Sequence, residues 1–149
     1  MPKKREMEFK TRCKSIIPIQ VRFSDVDVMG HVSNTVYQNY FDSGKTSYFE
    51  EVIPEMDFEN IGIVGASIKI DYLKPIFRKT PILVETRITH LGTKSLTMEH
   101  YIIEENTNEV LSTCTATMVC YMIKEQRSIA IPEEWRRKII DFEEEIIIK

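Results

Sequence analysis

The sequence predicts an α+β fold, in which one long helix packs against an antiparallel sheet and a second helix ends the chain. Apolar residues recur with a helical period over residues 37–52, and with a period of two in one stretch before it and four after it. The links between the last three strands are short, which favours antiparallel neighbours. Since the early helix is the only long early element able to cover one face of this sheet, a helix wrapped by a curved antiparallel sheet is the simplest packing.

The first strand is predicted at Ile16–Phe23, where apolar and polar residues alternate. A polar loop follows, and the helix then begins near side chains that can cap it. The capping candidates are Ser33, Asn34 and Thr35, with Thr35 and Gln38 as a possible capping box. Pro54 is expected to end the helix.

The apolar stripe of this helix contains a glycine. Its members are Tyr37, Tyr40, Phe41, Gly44, Tyr48 and Val52. A glycine inside a helix costs about 1 kcal/mol relative to alanine. We therefore expect the helix to approach the sheet closely at Gly44.

Four further strands and a final helix complete the prediction. The strands are expected at residues 64–73, 81–91, 95–104 and 109–123. Pro132 occupies the first position of the last helix, in which apolar residues recur at helical spacing from Trp135 to Ile146.

Composition excludes several classes of protein. The 149 residues include 20 Lys+Arg and 23 Asp+Glu, with net charge −3, so no basic field supports nucleic-acid binding. The longest apolar run, Met118–Ile123, is far too short for a membrane-spanning helix. Three cysteines without a C-x-x-C pair predict neither a disulfide framework nor a zinc site, and a reducing cytoplasm fits best.

Residues 1–14 form a basic segment that we expect to be a mobile tail, with residues 15–149 as a single domain.

Chemistry-bearing residues cluster between the first strand and the helix. They are Asp25, Asp27, Gly30, His31 and Asn34. Each has an ordinary interpretation: the acids as turn residues, His31 as a local hydrogen-bonding residue, and Asn34 as the helix N-cap. No second cluster of His or Cys supports a metal site built on the acids and His31, so we expect no metal.

A family resemblance gives this segment a sharper meaning. Residues 21–41, V-R-F-S-D-V-D-V-M-G-H-V-S-N-T-V-Y-Q-N-Y-F, resemble the opening of hotdog-fold acyl-CoA thioesterases, most closely the 4-hydroxybenzoyl-CoA thioesterase family. Three later segments, Ile68–Pro75, His90–Ser95 and Ile131-Pro132, are similar to that family in the same order. The combination is more specific than any single motif.

The resemblance implies a hotdog fold of about five strands, assembled as dimers or dimers of dimers, and hydrolysis of acyl-CoA without a cofactor. Asp27 matches the family's catalytic carboxylate, which acts either as a nucleophile or as a general base on water. The free N–H groups at the start of the helix, near Asn34–Tyr37, would stabilise the oxyanion. Asn34 would orient the carbonyl or the water, and His31 would tune Asp27, contact the pantetheine arm or pack in the loop.

Substrate-binding residues are less sharply indicated. Tyr37, Tyr40 and Phe41 would line the acyl site, although their helical spacing also suits a core. Lys69 and Lys74 are candidates for the phosphates of CoA. The family often has Ala-Arg where this chain has Gly44-Lys45. Because of this difference, the resemblance does not specify the acyl group of the substrate.

Three other functions remain open. Hydrolysis of acyl-ACP would keep the mechanism and change the partner. A non-enzymatic acyl-CoA-binding hotdog protein would have no reason to keep Asp27. A hydratase of the same fold would need a D-x-N-x-x-H pattern, which Asp27 and His31 match poorly because the intervening Asn is missing.

Overall fold

The computed structural model describes residues 12–57 and 59–148. The five long strands are β1 (Ser15–Ile19), β2 (Ile61–Tyr72), β3 (Ile82–Leu91), β4 (Ser95–Glu104) and β5 (Val110–Met122). The two helices are α1 (Asn34–Val52) and α2 (Glu133–Phe142). Every strand and helix predicted from periodicity is therefore present. The largest differences in bounds are at β1, which ends at Ile19 rather than Phe23, and at α2, which ends at Phe142 although its predicted apolar pattern ran to Ile146. Pro132 is the N-cap of α2 rather than its first residue, and β2 begins three residues early.

The long strands form one antiparallel sheet in the order β1-β3-β4-β5-β2. Helix α1 packs mainly against β1, β3 and β4 on one face of this sheet. The arrangement confirms the predicted α+β class and the hotdog fold. Two short strands were not predicted: β6 (Arg127–Ser128) pairs with β5, and β7 (Ile147–Ile148) lies parallel to β3. Two residues cannot display a periodic pattern, so no sequence signal marks them.

The close approach predicted at Gly44 is confirmed. A Cβ atom added there would lie 2.6 Å from Val84 Cγ1 and 2.7 Å from Thr86 Oγ1, both on β3. Ordinary contacts between such atoms are about 3.5–4.0 Å long. Only glycine allows α1 to lie this near to the middle of the sheet.

The start of α1 differs from its prediction. Ser33, not Asn34, is the N-cap residue, and it makes no side-chain capping hydrogen bond. The Ser33 and Thr35 hydroxyls bond to each other at 3.1 Å instead, and the capping box of Thr35 and Gln38 is not formed. The helix ends at Val52, as Pro54 predicted. No helix in the described part of the chain is long and apolar enough to cross a membrane.

The expected N-terminal tail extended to residue 14, and residues 1–11 lie outside the described residues. Residues 12–14 pack on the sheet: the backbone N–H groups of Arg12 and Cys13 donate to Glu85 Oε1 at 2.8 and 3.1 Å. Cys13 is buried. The packed chain therefore begins earlier than the predicted domain boundary at residue 15.

Strand β2 is one of the two edge strands of the sheet. It is 12 residues long, and among the described residues it pairs only with β5. Several of its apolar side chains are exposed, including Val64, Ile68 and Tyr72. A long apolar edge strand is a surface that proteins usually cover.

Candidate active site

The loop before α1 folds into a tight hairpin. Val26 and Val32 form an antiparallel bridge, the Asp27 N–H donates to the His31 carbonyl at 2.9 Å, and the Gly30 N–H donates to the Asp27 carbonyl at 3.0 Å. Gly30 has φ +83°, a left-handed conformation that favours glycine. The turn thus fixes Asp27 and His31 opposite each other.

The carboxylate of Asp27 is exposed at this turn. Its Oδ1 accepts the Met29 N–H at 2.9 Å, and no donor among the described residues reaches Oδ2. The neighbouring side chains Val28 and Met29 are also exposed, Met29 by 73% and Val28 completely. One carboxylate oxygen is therefore held in place while the other is available to a substrate or a water.

Asp25 has a different environment. Its Oδ2 accepts the Arg22 N–H at 2.9 Å and the Tyr40 hydroxyl at 2.7 Å. Burial, together with the bond to Asp25, raises the pKa of Tyr40, so this phenol stays protonated as the donor. Asp25 and Tyr40 therefore join the hairpin to α1, and Tyr40 is a supporting residue rather than part of the cleft described next.

His31 and Asn34 line one small cleft. Its volume is about 160 Å³, and its other lining residues are Val32, Tyr37, Tyr72, Leu73, Lys74 and Pro75. The segment around Phe77 closes it against the hairpin: the Val32 N–H donates to the Ile76 carbonyl at 2.8 Å, and the Phe77 ring meets the His31 ring edge-on at 4.8 Å. The structure thus places four of the predicted site residues together: His31, Asn34, Tyr37 and Lys74.

The N-terminus of α1 offers free hydrogen-bond donors at this cleft. The Val36 N–H is bonded to the Ser33 carbonyl at 2.9 Å, but the N–H groups of Asn34 and Thr35 have no acceptor among the described residues. Unpaired N–H groups at a helix start, together with the helix dipole, attract negative charge. Of the residues predicted to supply these donors, Asn34–Tyr37, we therefore retain Asn34 and Thr35, whose N–H groups are free.

Tyr72 belongs to the cleft but was not among the predicted site residues. Its ring packs edge-on against Tyr37 at 4.8 Å, and its hydroxyl donates to the Asn34 carbonyl at 3.4 Å. Tyr37 is 2% exposed, and burial raises its pKa. The only sequence signal for Tyr72 was its place in the Tyr-x-x-Pro ending of β2.

The remaining candidates lie elsewhere. Phe41 is buried and lines a second cleft farther along α1. Lys69 is opposite Thr115 on the face of β2 that points away from α1, with its Nζ 3.9 Å from Asp71. Lys74 does line the first cleft, and its Nζ is paired with Glu109 at 2.6 Å.

The two acids and His31 do not converge on one point. Asp25 binds Tyr40, whereas Asp27 lies at the tip of the hairpin. Over residues 12–57 and 59–148, no three His, Cys, Asp or Glu side chains are placed to hold a metal ion together.

The chain is similar in sequence and fold to several thioesterases. The family model of the thioesterase-like superfamily matches residues 21–139. The long-chain acyl-CoA thioesterase FadM of Escherichia coli is 27% identical over 81% of this chain and 93% of its own length. A chloroplastic acyl-acyl carrier protein thioesterase of Arabidopsis thaliana is 22% identical over 85% of this chain and 67% of its length. The crystal structure of a Thermus thermophilus thioesterase with coenzyme A and zinc is 30% identical, with a TM-score of 0.76 over 86% of this chain and 98% of that one.

Proposed function

The chain belongs to the thioesterase-like superfamily, and from this membership we propose that it hydrolyses an acyl-CoA thioester to the free acid and CoA. The observation that carries the proposal is an exposed carboxylate, Asp27, in the hairpin that leads into a helix N-terminus with two free N–H groups. A thioester needs a nucleophile or base near its carbonyl carbon, and a donor for the oxygen that becomes negative.

Two routes use these groups. In the first, Asp27 attacks the carbonyl carbon, the C–S bond breaks, CoA leaves as the thiolate, and water hydrolyses the resulting anhydride. In the second, Asp27 takes a proton from a water as that water attacks, and collapse of the tetrahedral intermediate releases CoA. In both, the N–H groups of Asn34 and Thr35 stabilise the oxyanion.

The other cleft residues take supporting roles in this proposal. The exposed Asn34 side chain orients the carbonyl or the attacking water. His31, held edge-on by Phe77, fixes the hairpin and contacts the pantetheine arm. Lys74, rather than Lys69, is the cation that we assign to the CoA phosphates, because only Lys74 lines the cleft. Tyr37 forms its apolar wall.

We also propose that the active enzyme is a homodimer, or a dimer of dimers. Asp27 does not line the cleft of its own chain, and the side chains beside it are exposed and apolar. The apolar edge of β2 offers a surface through which two copies can pair. Such pairing would cover Val28 and Met29 and exclude water from the reacting carboxylate.

The three buried, free cysteines support a cytoplasmic location.

Hydrolysis of an acyl-ACP is the second candidate. The match to the Arabidopsis thaliana acyl-acyl carrier protein thioesterase favours it, and it requires the same chemistry at Asp27. Comparing the same acyl group on CoA and on acyl carrier protein separates the two candidates.

The test is the variant Asp27→Asn, with Asp25→Asn as its matched control. Asp27→Asn removes only a charge from an exposed side chain, so we expect an unchanged Tm and a kcat lowered about 10²- to 10⁴-fold. Asp25→Asn weakens the bond to Tyr40, so we expect lower stability and the smaller loss of kcat. Released thiol is measured over a panel of acyl-CoA substrates.

Near-normal turnover by Asp27→Asn would refute its catalytic role. Tight binding of acyl-CoA by the wild-type protein, without any turnover, would favour the non-enzymatic alternative.

A further inference from the structure

A second cleft lies between α1 and the edge strand β2. Its volume is about 310 Å³, and α1 contributes Gln38, Phe41, Asp42 and Lys45 to its lining. It exists because α1 packs mainly against β1, β3 and β4, while β2 presents the small residues Gly65, Ala66 and Ser67 at a bulge. A Cβ atom added at Gly65 would meet only Met118 Sδ, at 4.0 Å. The small residues therefore keep this cleft open.

The cleft is also lined by a buried histidine that the proposed mechanism does not use. His100, on β4, is 3% exposed, and its ring packs against that of Phe41 with 5.6 Å between centroids. Its Nδ1 is 2.9 Å from Thr86 Oγ1, and Nε2 has no hydrogen bond within the described part of the chain. Among the described residues, the fully buried side-chain atom without a hydrogen-bond partner is Glu85 Oε2 and not His100 Nε2, so Nε2 is accessible from the cleft and free to bond a group that binds there.

The charges around His100 indicate what kind of group could bond to Nε2. Burial, reinforced by Lys45, lowers the pKa of His100 to about 4, so the ring is neutral at physiological pH. A neutral ring does not balance an anion, and Lys45 already lies 3.9 Å from Asp42. A hydroxyl group matches Nε2 in either tautomer, because it both donates and accepts.

The two clefts lie at successive positions along α1 and β2. Along α1, Asn34 lines the first cleft and Phe41 the second; along β2, Tyr72 lines the first and Ile68 the second. Seven residues of helix span about 10 Å, which is roughly the extended length of an eight-carbon acyl chain. A chain whose carbonyl lies at the N-terminus of α1 would therefore bring its far end to His100.

We propose that this cleft binds the distal end of the acyl group and selects acyl chains that carry a hydroxyl there, with His100 as the residue that hydrogen-bonds it. The proposal rests on the proposed hydrolysis and adds the class of acyl group. Phe41 and Met118 contact the methylenes in this arrangement, while His100 contacts the hydroxyl.

The experiment compares octanoyl-CoA with 8-hydroxyoctanoyl-CoA as substrates of the wild-type protein, His100→Leu and His100→Gln. A bound octanoyl chain would cover His100 Nε2 and leave it without a hydrogen-bond partner. We therefore expect wild-type kcat/KM to be about 10- to 100-fold higher for the hydroxylated substrate. His100→Leu should bring the ratio to about one, mainly by slowing the hydroxylated substrate. His100→Gln retains a donor and an acceptor, so it should keep part of the preference. This variant also tests the proposal if His100→Leu does not fold.

Failure of this inference is distinct from failure of the proposed function. Hydrolysis of both substrates at equal rates by the wild-type protein would overturn the hydroxyl preference and leave the thioesterase intact. If neither is hydrolysed, binding of the free acids still tests the cleft: 8-hydroxyoctanoate, but not octanoate, should shift the NMR resonance of His100 Nε2. Equal shifts by both acids would overturn the proposal.

Discussion

Replacement of Gly44 by alanine tests how closely the helix that carries the site must approach the sheet. The new Cβ would lie 2.6 Å from Val84 Cγ1 and 2.7 Å from Thr86 Oγ1, so each atom must yield by about 1 Å to reach an ordinary contact. Neither moves freely. Both belong to β-branched side chains with restricted χ1 angles, and Thr86 Oγ1 is also bonded to His100.

The expected change in stability follows from two opposing effects. Overpacking a core costs about 1–3 kcal/mol, and two stiff neighbours place Gly44→Ala toward the upper end of that range. The gain in helix propensity from glycine to alanine offsets about 1 kcal/mol. We therefore expect the free energy of unfolding to fall by about 1–2 kcal/mol.

Urea unfolding at one fixed protein concentration measures this, as a lower midpoint with an unchanged m-value. Thr46→Ala is the matched control, because Thr46 is exposed on the same helix and should change stability by no more than about 0.7 kcal/mol. In a Val84→Ala background the Gly44→Ala penalty should shrink by about 1 kcal/mol. A Gly44→Ala protein at least as stable as the wild type would refute the reasoning.

Two further predictions concern buried ionisable groups. Burial lowers the pKa of His100 from 6.5 to about 4. Below pH 6.5 the unfolded chain therefore binds a proton that the folded chain does not. The free energy of unfolding should fall by up to about 3 kcal/mol between pH 6.5 and pH 4. His100→Leu should flatten that part of the pH–stability curve, and an unchanged slope would contradict the assignment. Burial raises the thiol pKa of Cys13 and Cys114 to about 12 and of Cys120 to about 11. A thiol-disulfide reagent at pH 8 should therefore react slowly with the native protein and rapidly with all three thiols in urea, whereas fast native labelling would show an exposed thiol.

The sequence was most informative where one local pattern decided the structure. The five long strands and both helices follow apolar periodicity, which burial against a single core imposes on any chain. Gly44 was interpretable for the same reason, since an expensive residue inside a helical stripe needs a close neighbour. Boundaries were less certain: β1 ends at Ile19, which lies opposite the first residue of β3, Ile82, and Ser33 rather than Asn34 caps α1.

The candidate site was only partly accessible from the sequence. The segment from Asp25 to Asn34 was recognised by its resemblance to a family, but residue types alone did not distinguish its two acids. The distinction comes from Tyr40, 15 residues away, which bonds Asp25 and leaves Asp27 exposed. Tyr72 and Phe77 join the site through contacts across about 40 residues of chain, for which no local pattern exists.

The sequence by itself therefore determined the kind and order of the long strands and the two helices, the family, and the loop that holds the candidate site. The tertiary structure alone decided which acid is free, which helix N–H groups are unpaired, and that His100 lines a cleft beside β2. The physical reason is the range of the interactions. Periodicity and turn formation act within a few residues, whereas burial and hydrogen-bond pairing are settled only when distant segments meet.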